Sequence, residues 1–276
     1  MTGGPMQGAS RGSLAAARDT LGALLRSRDT DLAALADELF EVTGVLDRER
    51  GLRRALTDPS RSGDDRAALA RAVFGDRVGA AAVDVLVWAV RARWSSPREL
   101  VDALELLAVE AQVAAADRAG HLDAVEDELF RTARIVAGTP ELRSALADLS
   151  APVANRAALI EDLLADQVHD ETLRLVRRAV VAPRGRTFDR TLEQYAQVAA
   201  DLRSRLVATV TASVPLTEEQ RGRLGAALAR IYGHEVHLNV QVDPSIVGGI
   251  SVAIGDEVID GTVVSRLEDA RRRLVG

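Results

Sequence analysis

Four histidines, 41 acidic residues and two tryptophans are the places where chemistry would have to start in this 276-residue chain. His234 and His237 have ligand-like spacing, but no cysteine or carboxylate cluster lies beside them to complete a metal site. His121 and His169 stand alone in the sequence, so a capping or solvent-facing role is the default for all four. Gly248-Gly249 has the look of a phosphate cradle. No lysine follows it, and its surroundings alternate like a strand, so a backbone bulge or close approach is the expectation. The carboxylates fall opposite apolar helix stripes, where a solvated face accounts for them. No Ser-His-Asp arrangement can be built from the spacing. These residues carry no catalytic constellation, and neither a cofactor nor a metal is expected.

The bulk composition narrows the classes further. Net charge is −6, and every one of the 35 basic residues is arginine, so neither a polyanion surface nor an arginine motif stands out. There are no cysteines, which removes disulfides and thiol catalysis and fits a reducing compartment. The longest apolar run, 78–90, contains Asp84 and is shorter than the ~20 residues of a membrane span. Residues 1–12 are polar and glycine-rich and read as a disordered tail.

Residues 13–206 read as amphipathic helices with apolar residues three and four apart, as at Leu32, Leu35, Leu39 and Val42. A shift of 90 residues places Asp37-Glu38-Leu39-Phe40 on Asp127-Glu128-Leu129-Phe130 and Arg66-Ala67-Ala68-Leu69 on Arg156-Ala157-Ala158-Leu159. One aligned position in three is identical from 37 to 90 against 127 to 180, where composition alone predicts roughly a tenth. The helical part is therefore a duplication. Copy one spans 13–97 and copy two spans 119–206. Helix 98–118 serves both, ending one copy and opening the next, so the bundles are expected to be joined rigidly.

The pattern changes after 206. Residues 206–213 alternate as a strand, and Thr217-Glu218-Glu219-Gln220 forms a capping box for a following helix. Residues 235–242 alternate again, Asp243-Pro244 turns the chain, Ile250, Val252 and Ile254 share a face, and Gly255-Asp256 makes a hairpin. A last helix is expected over 262–274, ending in Arg271-Arg272-Arg273, where the helix dipole favours cations and an acidic partner helix could also bind. The predicted fold class is mainly α: two tandem, duplicated helical bundles followed by a small α+β domain over 207–276.

This tail resembles the C-terminal signature of the δ subunit of bacterial F-type ATP synthase, the oligomycin-sensitivity-conferring protein family. The matching residues are Asp243, Pro244, Ile246, Gly248, Gly249, Gly255, Asp256, Val258, Ile259, Asp260, Gly261, Arg266 and Leu267. Residues 210–220 resemble the family's strand-to-helix entry, and the likeness extends over about 100–275. The extra helical copy departs from the common pattern and is similar to that of actinobacterial δ subunits.

The resemblance implies a non-catalytic peripheral-stalk (stator) subunit. It would link α subunits of the catalytic head to b subunits and resist rotor torque during proton-driven ATP synthesis. Such a protein sits peripherally on the cytoplasmic face of the cell membrane and reaches the membrane only through its complex. In the family the helical domain holds N-terminal segments of α subunits between its first and fifth helices. Those are 14–25 and 81–93 in copy one, and 104–116 and 171–181 in copy two, with Leu104 and Leu107 facing the groove. The stalk-binding surface is expected near Val252, Ile254 and Leu267. Trp88 and Trp94 map to Arg178 and Arg184 on the 90-residue shift. A core position accepts arginine poorly, so these tryptophans point to a partner groove in copy one that is more apolar than in copy two. The other class the pattern leaves open is a helical adaptor with an α+β RNA-binding module. The acidic balance, the missing lysine and the few aromatics weigh against nucleic acid as a partner.

Overall fold

The structure, a computed structural model, describes residues 8–205, 207–232, 236–244, 246, 248–254 and 257–260. Copy one contributes α1 (Ala9–Arg26), α2 (Leu32–Arg48), α3 (Arg50–Leu56), α4 (Gly63–Phe74) and α5 (Ala80–Arg91). The shared helix is α6 (Pro97–Ala119). Copy two adds α7 (Leu122–Gly138), α8 (Pro140–Ala147), α9 (Val153–Leu164), α10 (Asp170–Val181) and α11 (Phe188–Arg205). The predicted tail is too long: helix begins at Ala9, not after residue 12. Ser10 draws it on, because its buried hydroxyl donates to Glu99 Oε2 at 2.8 Å and ties the first turn to α6.

Local chemistry sets the helix ends. Asp31 accepts the Ala34 N–H at 3.0 Å to open α2, and the Ser62 hydroxyl accepts the Asp65 N–H at 3.1 Å to open α4. Ser96 and Glu99 form a capping box with Pro97 in the first turn of α6. Gly120 ends that helix with φ of 77°, and a Cβ there would meet nothing. Gly120→Ala should therefore lower stability by about 1–2 kcal/mol through backbone strain alone, read as a shift in the denaturant midpoint with an unchanged slope.

Copy one, and copy two as far as Ala199 within α11, lie in one compact unit, Met1–Ala199. The duplication is visible in its turns. Ser60 N–H donates to Asp58 Oδ1 and Ser150 N–H to Asp148 Oδ1, each at 2.9 Å. Within copy one, α2 packs along α6 and α4 against α5; α9 packs against α10 in copy two. Leu21, Leu39, Leu46, Leu86, Leu100, Leu104 and Leu107 are fully buried between these helices. Leucines three, four and seven apart put one stripe of each helix into that core.

The second unit is Ala200–Gly276. Its strands are β1 (Val207–Ala212), β2 (His237–Val242), β3 (Ile250–Ile254) and β4 (Glu257–Asp260), in the order β2-β1-β3-β4. Helix α12 (Glu218–Tyr232) crosses between the parallel pair β1 and β2, while β3 and β4 join antiparallel. The predicted capping box opens α12: Gln220 N–H donates to Thr217 Oγ1 at 3.2 Å, and Thr217 N–H to Gln220 Oε1 at 2.9 Å. Ala208, Val210, Leu228, Val236, Val252 and Ile254 form its core.

The glycine pair differs from expectation. Gly248 and Gly249 take φ of 67° and 85°, so both are left-handed, and the strand starts only at Ile250. Two successive positive φ values end a ladder and do not fit inside one. Gly255, Asp256, Gly261, Leu267, Arg271–Arg273, His234 and the last predicted helix lie outside the described residues.

Candidate docking site

Helix α2 of copy one lies along α6 and reaches α10 of copy two through a line of arginines. Arg174 Nη1 is 3.1 Å from Asp37 Oδ2. Arg178 Nη2 donates to Thr43 Oγ1 at 2.7 Å, and its guanidinium lies 4.8 Å from the centre of the Phe40 ring. Arg184 Nε is 2.8 Å from Asp47 Oδ2. The α6–α10 face of copy two is thus covered by a helix of the same chain. Among the described residues none takes that place on α5, where Trp88 stands 50% exposed at the position equivalent to Arg178.

Arg184 goes further into the interior. Its side chain is 5% exposed and meets Asp102 Oδ1 at 2.7 Å and Glu105 Oε2 at 3.0 Å. Arg186 Nη2 reaches the same Glu105 oxygen at 2.6 Å, and the Tyr195 hydroxyl donates to Oε1 at 3.2 Å. Burial pushes the Tyr195 phenol well above its ordinary pKa, and the Glu105 charge adds to that. Burial also raises the Asp102 carboxyl against the pull of Arg184, and lowers Arg178. For Arg186, burial works against its charge, but Glu105, Tyr195 and Asp102 together outweigh it and raise the pKa. Two expectations are corrected here. Acidic residues are not all on solvated faces, since Glu105 is buried in the α6 core. Arginine is accepted in the interior because several carboxylates converge on it.

The histidines that meet are the pair that spacing passed over. His121 and His169 lie with ring centroids 4.2 Å apart at the starts of α7 and α10. Glu128 holds the second of these starts: it accepts the His169 N–H at 3.0 Å and the Thr172 hydroxyl at 2.5 Å, and its Oε1 is 2.8 Å from His169 Nδ1. Burial alone would raise the Glu128 carboxyl, but the hydrogen bonds from Thr172 and His169 outweigh it and hold the pKa low. A depressed folded-state pKa gives stability that is complete above the ordinary value of 4.5 and is lost as pH falls through the folded one. Glu128→Gln should therefore cost about 1–3 kcal/mol at neutral pH. The gap to the parent chain should narrow below pH ~4, as read from urea melts at both pH values. The described residues contain no group of three or more metal-capable ligands.

The sequence-predicted docking residues fall into two kinds. Trp88 is at the surface, whereas Trp94 is half-buried and donates its indole N–H to the Ala89 carbonyl at 2.8 Å. Leu104 and Leu107 are corrections: both are fully buried within the bundle and support a groove only from beneath. Val252 and Ile254 likewise face the α12 core, so their sheet positions are interior. Asp243 donates its N–H to the Ala212 carbonyl at 2.9 Å, Pro244 is exposed beyond it, and Asp260 pairs with Ser251 in the hairpin. Asp243 and Pro244 thus lie in a turn of the second unit and Asp260 in a strand. The apolar side chains left exposed there include Val242, Val258 and Ile259.

Two duplicated bundles with buried ionic ties, an open aromatic face and a separate α+β unit define a helical docking scaffold. The profile described as "ATP synthase delta (OSCP) subunit" matches residues 109–274. Proteins named ATP synthase subunit delta align over nearly all of it: that of Streptomyces coelicolor is 52% identical over 98% of each chain. That of Kineococcus radiotolerans is 49% identical over the whole of both, and that of Thermobifida fusca 48% identical over 98% of this chain and all of its own. The chain belongs to the ATP synthase delta (OSCP) family. Its function is that of a peripheral-stalk subunit of F-type ATP synthase.

Proposed function

We propose that the chain acts by holding and catalyses nothing. It joins α subunits of the catalytic head to b subunits of the stalk, on the cytoplasmic face of the membrane, so that rotor torque cannot turn the head. The observation that carries this is the unequal treatment of the two copies. The α6–α10 face is occupied by α2, while the equivalent α1–α5 face leaves Trp88 open. Copy one is therefore assigned to the head contact. An α-subunit N-terminal helix would lie against α5 much as α2 lies against α10, a helix-in-face mode of recognition. The buried Arg184 network suits a load-bearing part, because it locks the copies into one body. The stalk contact is placed on exposed apolar residues of the second unit, Val258 and Ile259 of β4, and not on Val252 or Ile254.

Deleting copy one is a poor test, because it strips α2 from α6 and leaves Arg174 and Arg178 without Asp37 and Thr43. Point variants of the tagged full chain are better, co-isolated from solubilised membranes. Val258→Glu with Ile259→Glu should release b and retain α. Loss of neither subunit would remove β4 as the stalk contact.

A further inference from the structure

The same four residues, Asp-Glu-Leu-Phe, occur at 37–40 on α2 and at 127–130 on α7, and the chain treats them differently. On α2, Asp37 pairs with Arg174 at 3.1 Å and the Phe40 ring receives Arg178 at 4.8 Å, leaving Phe40 7% exposed. On α7, Phe130 is 54% exposed and Ile135 also stands open. Beside them is an open hollow of about 520 Å³ lined by Asp127, Phe130, Arg131, Arg134 and Ile135. Among the described residues the cation over the ring is Arg134 of its own helix, at 5.9 Å, where copy one has Gly44. An exposed aromatic beside a carboxylate one turn back is a receiver for cations.

Resting on the reading of the chain as a peripheral-stalk subunit, we propose that this α7 face is a second docking surface, distinct from the Trp88 face. Its occupant is a helix of another synthase subunit carrying two basic side chains one turn apart. The occupant's chemistry is read from the chain itself. Arg174 and Arg178 are four residues apart on α10, and together they cover the identical tetrapeptide of copy one. The docking helix sets one cation against Asp127 and the other over Phe130, displacing Arg134 from the ring. Two faces on different copies of the repeat bind two segments at once, and linked contacts strengthen one another when the geometry allows both.

The chain has no cysteine, so Ile135→Cys gives a single thiol at an exposed position lining the same hollow, with Asp127 and Phe130 left in place. Maleimide labelling is compared in the free chain and in assembled, co-isolated synthase, with Leu149→Cys as an exposed reference. Labelling should be fast in the free chain and at least tenfold slower, relative to the reference, in the synthase. Adding Asp127→Arg should abolish that protection. Equal rates in the two states overturn the proposal while leaving the stalk reading intact. Protection that survives Asp127→Arg overturns the doubly basic occupant. Slow labelling of the free chain at any concentration shows the face covered by the chain's own second unit, and slow labelling only when concentrated shows a second copy; either overturns it. A chain that never co-isolates with the synthase overturns this inference together with the stalk reading.

Discussion

Arg184→Ala should destabilise the helical unit by about 3–5 kcal/mol, the usual penalty for removing one partner of a buried ion pair. The side chain is almost fully enclosed and meets Asp47, Asp102 and Glu105, so three carboxylates from α2 and α6 lose a shared counter-charge. Glu105 would keep Arg186 and Tyr195, but Asp102, whose carboxyl burial already pushes upward, would be left in a less compensated site. At roughly 2–4 °C per kcal/mol for a unit of this size, the midpoint of thermal unfolding should fall by about 10 °C. Arg184→Lys should recover little, because one ammonium cannot replace a fork that also donates to the Val101 carbonyl. Arg184 is also the one non-glycine residue with positive φ among the described residues, at 51°. Arg184→Gly should thus be milder than Arg184→Ala by about 1 kcal/mol, since glycine carries no left-handed penalty. Equal midpoints for the parent and Arg184→Ala would show that the network is not what joins the copies.

How far the sequence discloses this arrangement depends on the range over which each feature is determined. Helix starts at Ser96 and Thr217 are set by residues three apart, so their capping boxes are readable. The 90-residue repeat is readable because duplication preserves order. The alternation of Val236, Leu238, Val240 and Val242 marks β2, though its parallel register against β1 is not encoded locally. The destinations of Arg178 and Arg184 were not readable. Residue type alone sends arginine to the surface, and the partners that overturn this, Thr43 and Asp47, lie more than a hundred positions away. The two Asp-Glu-Leu-Phe segments make the same point: identical local sequence, with Phe40 covered and Phe130 open, because cover comes from whichever helix is packed alongside. Leu104 and Leu107 were misplaced for a related reason. A helix shared by two bundles buries residues on several faces, so an apolar stripe on α6 does not identify a groove.

Trp88→Ala should weaken capture of the catalytic head by about 2 kcal/mol or more, roughly a thirtyfold loss of affinity. A half-exposed tryptophan on an unfilled face is the residue type that dominates helix-docking energies, since it contributes large area at little conformational cost. In the free chain the same substitution removes little enclosed surface, so stability should change by no more than about 1 kcal/mol. That separation is what makes the variant informative, because lost binding cannot then be blamed on unfolding. The internal repeat supplies a second comparison. Asp84 stands where copy two has Arg174, and Trp88 where it has Arg178, so copy one asks for a helix with a basic residue and an apolar one a turn apart. Trp88→Arg would recreate the copy-two surface, which suits an aromatic and not an aliphatic side chain, and should lose the head as completely as Trp88→Ala. Retention of α subunits by both variants, with b also retained, would move the head contact off copy one altogether. Surface plasmon resonance with a synthetic N-terminal segment of the α subunit on the full chain gives the affinities, and co-isolation from membranes shows whether the b contact survives.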